Sequence, residues 1–249
     1  MEYNNTLYKI IENEKLKNKV IKTIKNNYQN FCEEQFLSII KNNDEILSTL
    51  IKELPIKFYK QKGFNPDRYE NIIKNIKIIN PDVKKYLDIG CSDASLTNVF
   101  RKGLKIKKKN IFLVDKVEPQ NKKCPHNKFF SDIKYIEDSS MDLVTCMMVL
   151  HHVKDYKQII KEIYRVLRPG GIFLIREAHN KAAEDILYHS IMDIIYYQWH
   201  NQCEYNSDYN YRSKDYWIKL INSNQFNLVK YEYKEKENYF KPFQAYFMK

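Results

Sequence analysis

Glycine is scarce in this chain: 249 residues contain only 5. They form no G-x-G-x-x-G run, which argues against a nicotinamide dehydrogenase, whose glycines let the backbone approach a pyrophosphate. Cysteine is equally sparse. Cys32, Cys91, Cys124, Cys146 and Cys203 are odd in number and contain no C-x-x-C pair. This argues for a reducing compartment and against a disulfide framework or structural zinc. Cys124-Pro125-His126 offers two ligands with nothing nearby to complete a tetrahedral set, so no metal is expected. No apolar run approaches the roughly 20 residues that span a bilayer. The opening MEYNNTLYKI also lacks the basic-then-apolar layout of a signal peptide. A cytoplasmic protein without membrane contact is the expectation.

What is present is apolar, aromatic and basic. Hydrophobic residues make up 43%, enough for a sizeable core, and 20 tyrosines dominate the aromatics. Lys+Arg numbers 42 against 31 Asp+Glu, a net charge of +11. Such a balance favours an anionic partner such as a nucleic acid, RNA among them, or an acidic protein. A Lys-, Asn-, Ile- and Tyr-rich, glycine-poor composition also follows from an AT-rich genome, and Lys105 to Lys109 reads equally as a solvated loop.

Periodicity divides the chain in two. Leu7, Ile10, Ile11, Leu16, Val20, Ile21 and Ile24, then Phe36, Leu37, Ile40, Ile46, Leu47, Leu50, Ile51 and Leu54, recur at helical spacing. They predict two helices over residues 1–54, stopped by Pro55. Asn65-Pro66-Asp67 starts, and Asn80-Pro81-Asp82 ends, a helix carrying Tyr69, Ile72, Ile73 and Ile76. From Lys85 short apolar runs alternate with helical patterns. Tyr86–Ile89, Ile111–Val114, Lys128–Phe130, Leu143–Met147 and Ile172–Ile175 are strand-sized, with helices at Leu96–Arg101 and around Ile159 to Leu167. That alternation predicts an α/β fold, a mostly parallel sheet with helices on both faces. Arg168-Pro169-Gly170-Gly171 reads as the turn before the fifth strand. A helical stretch toward His200 and a Tyr-rich loop through Tyr209 follow. Ser213 caps a helix carrying Tyr216, Trp217, Leu220 and Ile221. Leu228–Tyr233 and Phe243–Met248 close the chain as strands.

Parallel sheets bind ligands at the carboxyl ends of their strands, where the strand order reverses. The first strand ends in Asp88-Ile89-Gly90-Cys91-Ser92-Asp93, where Gly90 permits a tight turn and a helix starting near Ser92 points its N-terminus at the ligand. The second ends in Asp115, whose carboxylate can accept from both ribose hydroxyls. The third ends in Ser131-Asp132-Ile133, offering a carboxylate to an exocyclic amine and an aliphatic chain to a ring. The fourth runs from Asp142 through Met147 into His151 and His152.

Taken in order, Tyr86-Leu87-Asp88-Ile89-Gly90-Cys91, Val114-Asp115, Asp132, Asp142 to Val153, and Leu167-Arg168-Pro169-Gly170-Gly171 resemble the class I methyltransferase family, in particular its type 11 branch. The resemblance covers residues 84–178. It implies a Rossmann-like sheet with an antiparallel C-terminal strand, over residues 55–249; the helical extension at 1–54 reads as a lid, a cap on the sheet or a docking surface for a protein partner. It implies S-adenosylmethionine as cofactor. Asp88, Gly90, Cys91 and Ser92 would surround the methionine moiety, Asp115 the ribose, Asp132 and Ile133 the adenine, and Met147 the methyl-bearing end. The family usually shows two further glycines in the first loop, where this chain has Ser92 and Ala94.

Methyl transfer from a sulfonium needs mainly alignment, plus proton removal where the nucleophile carries a proton. His151 after the fourth strand, with Glu177 and His179 after the fifth, are the acid/base or orienting candidates. His152, Tyr211 and Arg212 are candidates for the acceptor, the latter two by stacking on and ion-pairing with a nucleotide. Three readings follow: an RNA methyltransferase acting on a cap or another nucleobase, a small-molecule methyltransferase, or a silent subunit of the same fold that stabilises a partner. Arg176-Glu177-Ala178-His179, the long helix and Tyr211-Arg212-Ser213 also resemble methyltransferase-like proteins of large DNA viruses. That likeness implies an RNA-processing role in a host cytoplasm.

Overall fold

The computed structural model describes residues 69–118, 128–181, 210–233 and 242–249, with His126 and His189. The helices expected over residues 1–54, the start signal Asn65-Pro66-Asp67, Cys124-Pro125, Tyr209 and most of the stretch toward His200 lie outside the described residues. Two compact units are distinguished. One comprises residues 64–179, 210–235 and 241–249; the other comprises 1–63, 180–209 and 236–240. In the second, Asn180 Nδ2 and His189 Nδ1 lie 3.1 Å apart in a hydrogen bond. The first contains the sheet.

Its elements in order are α1 (Glu70–Ile79), β1 (Tyr86–Ile89), α2 (Ser95–Gly103), β2 (Ile111–Val114), β3 (Lys128–Phe130), β4 (Met141–Met147), α3 (Tyr156–Val166), β5 (Leu167–Ala178), α4 (Lys214–Asn222), β6 (Asn227–Tyr233) and β7 (Pro242–Met248). The sheet runs β3-β2-β1-β4-β5-β7-β6. Strands β1 to β5 pair in parallel, and β7 runs antiparallel to both neighbours. The order reverses between β1 and β4, which places the switch point at the ends of those two strands.

Alternation along β1 assigns the two faces. Leu87 and Ile89 enter the core formed with Ile160, Ile163 and Val166 of α3 and Trp217 and Ile221 of α4. Tyr86 points the other way, into the core with Ile72, Ile73 and Ile76 of α1 and Phe100 of α2. Ser213 caps α4 as expected, its hydroxyl accepting from Tyr216 N at 3.2 Å. Among the described residues no helix is long and apolar enough to cross a membrane.

The fifth strand departs from expectation. Arg168-Pro169-Gly170-Gly171 is no separate turn but part of a twelve-residue β5. Its register against β4 jumps from Met141↔Leu167 to Leu143↔Ile172, so these residues form an irregularity within the strand. Pairing with the last residue holds them there. Gly170 N donates to Lys249 O at 2.9 Å, and Lys249 N donates to Gly171 O at 3.1 Å. Gly170 meets this geometry with φ +75°, and Arg168 is tied to Asp142 at 2.7 Å.

Candidate active site

The loop leaving β1 is wound left-handed three times. Gly90 (φ 70°), Ser92 (φ 49°) and Ala94 (φ 57°) all have positive φ. Ser92 and Ala94 occupy the positions where the resembling family usually carries glycine. A side chain there costs about 1–2 kcal/mol per residue. Winding also delays the helix, since a left-handed residue cannot lie within it. Thus α2 begins at Ser95, three residues after the expected start, with Asp93 accepting from Ser95 N at 2.9 Å.

Beneath this loop lies Asp88, 3% exposed. Its Oδ2 accepts from Thr97 Oγ1 at 2.5 Å and its Oδ1 from Thr145 Oγ1 at 2.6 Å. Tyr86 Oη lies 2.8 Å from the same Thr145 hydroxyl. The carboxylate therefore ties β1 to α2 and β4. Burial raises its pKa to about 6, against the opposing pull of the two threonine hydroxyls.

Asp115 and Asp132 stand at successive strand ends. Asp115 Oδ2 accepts from Ser92 N at 2.8 Å, and Oδ1 from Lys116 N at 2.7 Å. The carboxylate at the end of β2 thus holds the loop after β1. Asp132 caps the short turn Ile133–Tyr135, accepting from Lys134 N at 2.9 Å. That backbone hydrogen bond, with the Lys134 ammonium, lowers its pKa. Ile133, expected against a ring, is 1% exposed and belongs to the α3/α4 core. Cys91 is buried at 5% exposure, and Met147 is half-buried where β4 ends.

The exit of β4 forms the opposite wall. Met148 is left-handed (φ 61°), and its N–H donates to Arg176 O at 2.7 Å. Glu177, 1% exposed, then closes over the next residues. Its Oε1 accepts from Val149 N at 3.0 Å and Leu150 N at 2.8 Å. Its Oε2 receives His151 Nδ1–H at 2.6 Å. Tyr211 stacks on His151, with ring centroids 5.8 Å apart and planes 25° apart. Asn210 N donates to His151 O at 2.6 Å. His152 is half-buried, its ring 3.8 Å from that of His151.

Glu177, His151, His152 and Tyr211 are therefore brought together. His179 is engaged elsewhere: its Nδ1 accepts from Lys214 N at 2.9 Å, at the start of α4, and its ring meets Tyr233 edge-on. Arg212 is exposed and lies 5.2 Å over the Tyr216 ring.

A left-handed loop backed by two carboxylates at a switch point suits a ligand with a vicinal diol and a heteroaromatic amine. Residues 62–231 match a methyltransferase domain family. The chain belongs to that family. Thiol S-methyltransferase TMT1B of Mus musculus is 28% identical over 134 residues, 50% of this chain and 54% of the relative. Ubiquinone biosynthesis O-methyltransferase of Pelagibacter ubique is 32% identical over 133 residues, 48% of this chain and 55% of the relative. The chain thus spans about half the length of these curated relatives. The solved 1,6-didemethyltoxoflavin-N1-methyltransferase of Burkholderia thailandensis, with its substrate and S-adenosylhomocysteine bound, superposes with a TM-score of 0.55. It is 13% identical, over 88% of this chain and 91% of that one.

Sequence reading missed several residues of this methyltransferase domain. Thr97 and Thr145 sit at positions that periodicity assigns to the core, and a polar residue there was the available signal. Val149 and Asn210 carried no signal. Their roles come from which loops meet.

Proposed function

We propose that this methyltransferase domain carries a methyl group from S-adenosylmethionine to a small molecule, at a thiol, phenol or ring nitrogen. One observation carries the reading: the left-handed loop after β1 joined to Asp115, with Asp132 at the next strand end. S-adenosylmethionine, when bound, supplies an electrophilic methyl on a sulfonium. The residues fit it. Each Asp115 oxygen accepts one backbone N–H, leaving lone pairs for two ribose hydroxyls. Asp132 offers an acceptor to the exocyclic amine, and the N–H groups of the loop and of early α2 surround the methionine portion.

On the acceptor side the chain's task is orientation and proton removal. The imidazoles at the β4 exit serve the second task, and half-buried His152 is the more solvent-accessible of the two. Tyr211 backs the His151 ring.

The small-molecule reading is supported by the activities named for relatives, on thiols and on a ubiquinone precursor pathway, and by the toxoflavin-type substrate of the structural neighbour. Net charge had favoured RNA. Exposed Lys84, Lys85, Lys102, Lys105, Lys107, Lys108 and Lys109 stand before β1, in the last turn of α2 and between α2 and β2, at the amino end of the sheet. That is the end away from the loop; on the loop's side exposed Lys116 and Lys134 stand beside Asp115 and Asp132. The test is radiolabelled methyl transfer from S-adenosylmethionine into parallel pools of aliphatic thiols, phenols, ring-nitrogen heterocycles, capped RNA, uncapped RNA and protein. Label in one of the small-molecule pools is expected; label confined to RNA or protein would overturn the acceptor assignment.

A further inference from the structure

We infer that Glu177 is a positioning residue that sets cofactor affinity through Val149, which leans on the glycine of the cofactor loop. The inference rests on the cofactor reading above. Its first element is the contact between loops. A Cβ added to Gly90 would meet Val149 Cγ2 at 2.3 Å and Cγ1 at 2.7 Å. Val149 thus occupies the space a side chain at Gly90 would need, and the β1 loop keeps its course only while Val149 stays in place.

What keeps Val149 there is Glu177. The preceding residue, Met148, is left-handed, a conformation that persists only when its surroundings enforce it. Glu177 enforces it from β5 by taking Val149 N and Leu150 N on one oxygen and His151 Nδ1–H on the other. At 1% exposure, with all three donors in place, the carboxylate is committed to holding the β4 exit. Asn210 N on His151 O and the Tyr211 ring on the His151 ring hold the same segment from the far side. The chain of contacts runs from Glu177 to Val149 to Gly90, across β5, β4 and β1.

A general base at Glu177 and a clamp at Glu177 make opposite predictions for glutamine. An amide oxygen still accepts from Val149 N and Leu150 N, and the amide NH2 can donate to His151 Nδ1 in its other tautomer. As a clamp, Glu177→Gln keeps S-adenosylhomocysteine affinity within about 3-fold of wild type, whereas Glu177→Ala weakens it by roughly tenfold or more. Val149→Ala, which leaves the clamp intact, weakens it by a smaller factor. Gly90→Ala abolishes binding in the wild-type background and recovers part of it beside Val149→Ala, because the γ carbons that met the new Cβ are gone.

The experiment is calorimetric binding of S-adenosylhomocysteine, with steady-state kinetics on whichever acceptor the pool assay identifies. Wild-type protein that binds no S-adenosylhomocysteine overturns the cofactor reading itself. Wild-type binding with Glu177→Ala unchanged in affinity overturns the inference alone. S-adenosylhomocysteine affinity kept in Glu177→Ala while kcat falls with a changed pH profile assigns Glu177 to proton transfer instead. Should Glu177→Ala fail to fold, the Gly90→Ala and Val149→Ala pair still decides: strictly additive effects on affinity overturn the coupling.

Discussion

The two ends of the sheet use the same unusual backbone for different purposes. At the amino end Lys105 (φ 58°) follows α2, Gln225 (φ 68°) follows α4 and Ser139 (φ 48°) precedes β4. Each is a lone left-handed residue in the turn between neighbouring elements. At the carboxyl end Ser92, Ala94 and Met148 share that conformation but lie in the two loops that Gly90 and Val149 bring together. Charge is mixed at both ends: exposed Lys116 and Lys134 stand beside Asp115 and Asp132 beyond β2 and β3, while Lys84, Lys85, Lys107, Lys108 and Lys109 share the amino end with exposed Asp82, Glu137 and Asp138. Left-handed backbone by itself therefore marks no site. Its concentration in two facing loops, braced by buried carboxylates, does.

The comparison breaks first at Gly90. Gly90→Ala adds a Cβ at 2.3 Å from Val149 at positive φ, and is expected to lower stability by about 2–4 kcal/mol in urea unfolding. Gly170→Ala at the amino end, where nothing lies within 4 Å of the new atom, should cost only the left-handed backbone term of about 1–2 kcal/mol. Equal losses at the two glycines would remove the contrast.

Asp88 supplies the next largest effect. Its folded pKa, raised by burial to about 6 from 3.8, makes the folded state bind its proton more tightly than the unfolded state does. Stability from this group is full below about pH 4 and is lost as pH rises through 6, a change on the order of 3 kcal/mol. Urea midpoints measured from pH 4 to 7 should show this falling component, and Asp88→Asn should flatten it. A slope unaltered in Asp88→Asn would assign it to other groups. Thr145→Val removes a hydroxyl that donates to Asp88 and meets Tyr86, at an expected cost of about 1–3 kcal/mol by thermal or chemical unfolding.

Glycine substitution at the left-handed positions sharpens the contrast further. Ser92→Gly and Lys105→Gly should each stabilise by about 1 kcal/mol. Calorimetry should find S-adenosylhomocysteine affinity altered by the first and unaltered by the second. The smallest effect is reserved for the lysines. Replacing Lys107, Lys108 and Lys109 together by Gln should move stability by no more than about 0.5 kcal/mol per site. Methyl transfer to a small acceptor should be unchanged, and a large loss of activity would place function at the amino end too.

Much of the fold was legible. Tyr86–Ile89, Ile111–Val114 and Lys128–Phe130 have the expected bounds, because short apolar runs between polar turns leave a strand little freedom to shift. The fifth strand was misjudged at Arg168 to Gly171, since Pro and Gly signal a turn locally while the partner that keeps them in the sheet, Lys249, comes last in the chain. In the site, Asp115 and Asp132 were readable as strand-end carboxylates. That Asp88 faces inward to two threonines was not, nor was the grip of Glu177 on Val149 and His151, residues 28 and 26 positions away.

By itself the sequence determined the order of strands and helices, the strand ends at which polar groups collect, and the family to which that order belongs. These follow from hydrophobic periodicity and turn chemistry, which act over a few residues. Tertiary structure alone decided that Ser92 and Ala94 take the backbone usual for glycine, that Asp88 is buried, and that Val149 lies against Gly90. Each depends on two segments meeting across the sheet, where packing and hydrogen bonding outweigh local preference.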